Sequence, residues 1–398
     1  MSSEDKDIQT PDIQTPDMQT PDLQAPNVPA PAGCGARCPE RCWTQGQGDP
    51  PAGGAGRACP EGFRSRRSDV SSRAEREKLI AEKYKARWHG AESRTDLSVS
   101  FAGVQFKNPV VTASGTFGFG REYGKYYDLS FLGGVCVKGL TLEPRQGNLP
   151  PRIAEAAMGS GVLNSVGLQN PGADAFIRDE LPFLRGFDTV VIANISGNTA
   201  EEYAQMAEKL SEAKVDMIEV NVSCPNVKAG GMQFGVSPEG VAAVTEAVKK
   251  RASVPVMVKL SPNVTDITEI ARAAESAGAD AISLINTLLG MRIDTATRKP
   301  VLRNNVGGLS GPAVFPVAVR MVWQASSSVK IPVMGMGGVM DGDNAVEMML
   351  GGASLVGVGT ACFEDPYAPV RIVQEVEDYL LKNGIGAARE LTGKVDLY

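Results

Sequence analysis

From residue 97 onward, short apolar runs rich in Val and Ile recur along the chain. They are separated by stretches in which apolar residues return every three or four positions. The runs are 108–113, 134–138, 189–195, 217–222, 255–260, 281–286, 331–336 and 355–359. Continuous apolar runs of this length predict strands buried on both faces, as in a parallel sheet covered by helices. Between them, 200–213, 239–251 and 267–277 carry the period of amphipathic helices. Eight strands alternating with helices predict an α/β fold of the (β/α)8 TIM-barrel type over 97–398. An open doubly wound sheet would be expected to carry a glycine fingerprint after its first strand. Here Ser114-Gly115-Thr116-Phe117-Gly118 follows, which is not that fingerprint. Segment 139–188 exceeds what one crossover needs, so extra elements are expected there.

Upstream of the barrel the pattern is lost. Residues 7–26 repeat Pro-Asp-Ile-Gln-Thr with small changes, and proline every fifth residue forbids regular helix and sheet. Residues 1–70 are therefore predicted to be a disordered Pro/Gly-rich extension. Residues 71–96 read as a charged linker in which 72–88 can form a solvated helix. Cys34, Cys38, Cys42 and Cys59 fall in the extension, at a spacing that matches no common zinc or iron–sulfur pattern, and no metal site is predicted.

Composition narrows the chemistry. The net charge of −6 does not suggest a nucleic-acid partner. No apolar run approaches the roughly 20 residues that cross a bilayer. The polar, Arg-poor N-terminus is neither a secretory signal nor a transit peptide, so a cytoplasmic location is expected. The chain has one histidine, His89, before the barrel. Serine–histidine hydrolysis, His-ligated zinc and a histidine base are thus set aside. Proton transfer falls to Cys, Lys, Tyr or a carboxylate.

In a β/α barrel the chemistry sits at the C-terminal strand ends. There the sequence places Lys138, Asn194, Asn221, Lys259, Asn286 and Thr287. A single lysine in such a place could snorkel to solvent. Two lysines and three asparagines at equivalent positions describe a ring of donors for a ligand with carbonyl oxygens and negative charge. Gly337-Gly338 and Gly359-Thr360 follow the last two strands, where this fold commonly holds phosphate. Phosphate binding without metal ligands suggests a phosphorylated cofactor such as FMN. Cys224 follows strand four and precedes a glycine-rich stretch that reads as a lid. It is the candidate base. Cys136 and Cys362 read as buried and inert.

These motifs resemble the class 1 dihydroorotate dehydrogenases over roughly 97–390. The resemblance rests on Ala113-Ser114-Gly115, Lys138-Gly139-Leu140-Thr141, Asn164–Asn170, Asn194-Ile195-Ser196-Gly197, Asn221–Asn226, Lys259-Leu260-Ser261-Pro262 and Leu309-Ser310-Gly311, with the two glycine loops. It implies that Cys224 takes the C5 proton of dihydroorotate while hydride passes from C6 to FMN. It further implies that Lys138, Asn164, Ser165, Val166, Gly167, Leu168, Asn221, Asn226, Asn286 and Thr287 hold the substrate. Ser114, Lys138, Gly139, Asn194, Asn221, Lys259, Ile285, Gly311, Gly337, Gly338, Gly359 and Thr360 would hold FMN. The stretch 226–235 resembles the B subtype. That subtype implies a homodimer core in a heterotetramer with a second subunit, which carries FAD and a 2Fe–2S cluster and passes electrons to NAD. The alternatives are the fumarate-linked A subtype and a related FMN-dependent dihydropyrimidine dehydrogenase. In the latter, Ser-Cys-Pro is usually followed by His rather than Asn226. A non-catalytic flavin-binding protein is a third reading, opposed by the intact Cys, Lys and Asn set.

Overall fold

Strand period and helix period together close the chain into a barrel. A computed structural model describes residues 95–223 and 234–398. The expectations for 1–70, for the helix at 72–88, for the N-terminal cysteines, and for Cys224, Asn226 and most of the lid fall outside the described residues.

A hairpin of β1 (Val99–Phe101) and β2 (Val104–Phe106) opens the fold. The barrel strands β3 (Val110–Thr112) and β4 (Gly134–Cys136) come next. Then β5 (Ile153–Glu155) and β6 (Val162–Asn164) leave the barrel as an antiparallel pair. The chain returns through β7 (Val190–Ile195), β8 (Met217–Asn221), β9 (Val256–Lys259) and β10 (Ala281–Leu284). A second excursion follows, made of β11 (Leu288–Gly290), the pair β12 (Ile293–Asp294) and β13 (Lys299–Pro300), and β14 (Gly307–Ser310). Finally β15 (Val333–Met336) and β16 (Leu355–Val358) complete the barrel. Its closed order is β10-β15-β16-β3-β4-β7-β8-β9, with every pairing parallel.

All eight predicted strands are the eight barrel strands, and the three predicted helices are Ala200–Glu212, Pro238–Lys249 and Ile267–Ser276. Their starts are capped as the side chains dictate. Thr199 Oγ1 accepts from Glu202 N–H, and Ser237 Oγ accepts from Gly240 N–H, each at 3.1 Å. In Ile267–Ser276 the buried residues are Ile267, Ile270, Ala271 and Ala274, one stripe at helical spacing.

The extra elements expected in 139–188 are β5, β6 and short helices. The excursion at 288–310 was not anticipated. The two excursions meet in one antiparallel sheet of order β11-β14-β6-β5. Strands of two to four residues carry almost no periodicity, and β6 and β14 pair only because the barrel brings them together.

Alternation along each strand sorts side chains to two cores. Outward residues such as Ile218, Val220, Val256 and Val258 pack under the helices. Inward residues at the start of the strands are apolar: Val111, Ile192, Met217, Met257, Ala281, Met334 and Leu355. Val99, Phe101 and Phe106 of the first hairpin join this inner cluster, and the two rings meet edge-on at 6.1 Å. Burying a phenylalanine in this way contributes roughly 1.5–3 kcal/mol. One step further along, the inward residues turn polar: Asn194, Glu219 and Asn221, Lys259, and Ser283. The interior is thus greasy near the strand starts and polar where the strands end.

Candidate active site

The polar layer forms the floor of a pocket at the C-terminal end of the barrel. Lys138, Asn194, Asn221, Lys259, Asn286 and Thr287 all line it. So do Ser114, Gly139, Ile285, Gly337, Gly338, Gly359 and Thr360 on one side, and Asn164, Val166, Gly167 and Leu168 on another. Among the described residues, two predicted site residues do not line it. Ser165 is buried behind Asn164, its N–H donating to Arg152 O at 2.8 Å. Gly311 sits behind the glycine wall, where a Cβ on Gly338 would come within 2.7 Å of its carbonyl oxygen.

Side chains at the floor hold one another. Lys259 is buried, and its ammonium donates to Ser114 Oγ at 3.3 Å. Asn286 Nδ2 donates to Asn221 Oδ1 at 3.0 Å, while Tyr203 OH donates to the Asn221 carbonyl at 2.8 Å. Ser223 Oγ donates to the carbonyl of Lys259 at 3.1 Å and so ties the last described residue after β8 to β9. Asn164 Nδ2 donates to Gly308 O at 3.3 Å, a bond within the side sheet between β6 and β14. Thr360 Oγ1 donates to Ser310 Oγ at 2.9 Å.

The glycine wall follows from close approach. Gly337 and Gly338 have φ of +125° and +78°, a region that favours glycine. A Cβ on Gly337 would lie 2.9 Å from Ala318 Cβ and 3.0 Å from Ile285. Only bare backbone fits, so main-chain groups face the ligand space.

Sequence reasoning passed over Glu219. It is fully buried inside the barrel, beneath the lysine and asparagine ring. The signal was a carboxylate in the otherwise apolar run Met217-Ile218-Glu219-Val220, which the rule applied to the strand-end lysines would have caught. Phe363, Ser310 and Met336 also line the pocket without having been expected. Phe363 is 55% exposed, an aromatic side chain at the rim.

Cys136 and Cys362 are buried thiols. Burial, then the charge of Glu219, pushes the Cys136 thiol well up. Burial, then Asp365, pushes Cys362 up to about 12. Labelling follows the thiolate. Iodoacetamide on the native protein at pH 8 is therefore expected to spare both. Mass spectrometry should find them modified only after unfolding; fast labelling of either in the folded protein would contradict this environment. Among the described residues, no group of three or more His, Cys, Asp and Glu side chains could hold a metal ion.

Comparison with known proteins gives the geometry a context. Residues 96–380 match the sequence model of the family described as dihydroorotate dehydrogenase. A protein of Alkaliphilus oremlandii named dihydroorotate dehydrogenase B (NAD(+)), catalytic subunit, is 56% identical over 303 residues. The match covers 76% of this chain and all of the relative. A protein of the same name from Desulforamulus reducens is 56% identical over 305 residues, again 76% of this chain and the whole relative. One from Geotalea daltonii is 53% identical over 306 residues, 77% of this chain and the whole relative. A closed parallel barrel, a lysine and asparagine ring at its mouth and a family match across nearly all of the described residues agree: the chain belongs to the dihydroorotate dehydrogenase family.

Proposed function

We propose that this chain is the catalytic subunit of a B-type dihydroorotate dehydrogenase, oxidising (S)-dihydroorotate to orotate in pyrimidine biosynthesis with FMN as its cofactor. The observation that carries the reading is the convergence of Lys138, Lys259, Asn194, Asn221 and Asn286 on one pocket. The printed names of the relatives support the substrate and the subtype.

The residues present fit FMN. Asn194 Oδ1 is a buried acceptor with no hydrogen-bond partner among the described residues, suited to an N–H of a flat heterocycle. The glycine wall offers main-chain groups to a phosphate. Lys259 supplies positive charge beside the ring. Ser114, Lys138, Gly139, Asn194, Asn221, Lys259, Ile285, Gly337, Gly338, Gly359 and Thr360 would hold the cofactor in this proposal. The chemistry that FMN would supply there, when bound, is an acceptor for the hydride from C6 of the substrate.

The chain's own groups do the rest. Lys138, Asn164, Val166, Gly167, Leu168, Asn221, Asn226, Asn286 and Thr287 would hold the substrate carboxylate and ring amides. Holding the ring by several donors fixes C5 toward Cys224 and C6 toward the cofactor. Cys224 would take the C5 proton. The electrons of the broken C5–H bond form the new C5–C6 double bond as hydride departs.

The test uses the purified flavoprotein without oxygen. Adding dihydroorotate is expected to bleach the flavin band rapidly. Bleaching by dihydrouracil instead would transfer the reading to a dihydropyrimidine dehydrogenase, and a protein that binds no flavin would remove it.

The proposal extends to partners and place. Electrons would pass to NAD through a second subunit carrying FAD and a 2Fe–2S cluster, in the cytoplasm. Among the described residues no helix is long and apolar enough to cross a membrane. A homodimer core is supported by large apolar side chains left exposed on or beside the side sheet: Leu149, Ile153, Leu289, Met291, Ile293 and Val306. Such exposure commonly marks an interface. Sedimentation of the purified chain alone is expected to give twice the chain mass, and a monomer would remove the homodimer.

A further inference from the structure

Glu219 has no part in the chemistry described so far, yet its surroundings are specific. Its carboxylate is fully buried, which is costly unless donors and a counter-charge meet it. Here all of its partners are donors. Asn194 Nδ2 donates to Oε2 at 2.5 Å, Ser283 Oγ to Oε1 at 2.7 Å, and Cys136 Sγ to Oε2 at 3.1 Å. The Lys259 ammonium lies 4.0 Å from Oε2.

These contacts determine which way the Asn194 amide faces. A carboxylate only accepts, so the amide must turn its NH2 down to Glu219. Its carbonyl oxygen is left on the other side, buried and without a partner among the described residues. That oxygen lies 2.9 Å from where a Cβ on the pocket-lining Gly139 would sit. Glu219 therefore sets the polarity of a group that faces the ligand while touching no ligand itself.

We propose that Glu219 is a positioning residue. From beneath the floor, its carboxylate locks Asn194 with the acceptor facing the cofactor and holds the Lys259 ammonium beside it as a compensated charge. The inference rests on the reading of the pocket as an FMN site.

The experiment uses the full chain with its flavin removed and FMN titrated back. Wild-type protein that takes up no FMN overturns the reading itself. With wild-type binding in hand, Glu219→Gln is expected to raise the FMN dissociation constant about tenfold, the scale of one charge-assisted hydrogen bond. A glutamine can present either end to Asn194, so the enforced orientation is lost. The midpoint potential of the bound flavin is expected to rise, because the Lys259 charge is no longer offset and favours the reduced, more negative ring. A merely structural role would leave the potential where it was. In an Asn194→Ala background, Glu219→Gln should cost much less FMN affinity than it does alone. Ser283→Ala, which removes one donor to Oε1 but leaves the Glu219 charge in place, should weaken FMN binding by a smaller amount, about threefold, without the rise in potential. It serves if Glu219→Gln does not fold. Wild-type affinity and potential in Glu219→Gln, or wild-type affinity in Ser283→Ala if that alone folds, would overturn the proposal. So would losses in the Asn194→Ala background that are fully additive.

Discussion

Replacing Cys224 with alanine is expected to leave FMN bound but slow reduction of the flavin by dihydroorotate by about 10²–10⁴-fold, the usual contribution of a positioned base. The size of the effect follows from a lack of substitutes. The only histidine of the chain is His89, upstream of the barrel. Among the described residues lining the pocket, the titratable ones are Lys138 and Lys259, and an ammonium has no lone pair to receive a proton. Cys136 and Cys362 are buried, with their thiols pushed up by burial. Tyr123 and Tyr127 are pushed up in the same way, and neither lines the pocket. Anaerobic stopped-flow mixing reads the rate directly, with the flavin spectrum confirming occupancy. Reduction at the wild-type rate would take Cys224 out of the mechanism.

Lys259→Met should be the most damaging single change at the pocket floor. It strips the counter-charge from Glu219, whose carboxylate is fully buried. Breaking a buried pair by removing one partner costs about 3–5 kcal/mol, far more than the intact pair contributes. The remaining donors from Asn194, Ser283 and Cys136 place the expectation near the lower end. For a domain of this size that lowers the melting temperature by roughly 5 °C. Adding Glu219→Gln to Lys259→Met removes the orphaned charge and is expected to recover part of the loss. Calorimetry on the flavin-free proteins measures both. A double variant no more stable than Lys259→Met would show that the two groups are not coupled.

The reach of the sequence differed from element to element. The barrel was legible because its strands are buried on both faces, so each is a run of Val, Ile and Met that stands out from the helices beside it. The ring of lysines and asparagines was legible for the same reason. A polar residue at the end of such a run is conspicuous, and the fold says which end faces the ligand. The side sheet was half legible. The length of 139–188 betrayed one excursion, but β11 to β14 are too short to show a period. The pairing of β14 with β6 is a contact between segments more than a hundred residues apart.

By itself, then, the sequence determined the eight strands, the helices between them, the strand-end donors, the glycine wall and the family, because each is written in local spacing and residue type. Only the tertiary structure decided what lies behind those residues. Ser165 and Gly311 carry family motifs yet stand back from the pocket, which their neighbours Asn164, Val166 and Ser310 line instead. Glu219 looked like one charge in a strand. Closing the barrel brought Asn194, Ser283, Cys136 and Lys259 around it from four other strands or strand ends, and turned it into the counter-charge of the site. Such meetings depend on strand register across the barrel, which no local stretch of sequence encodes.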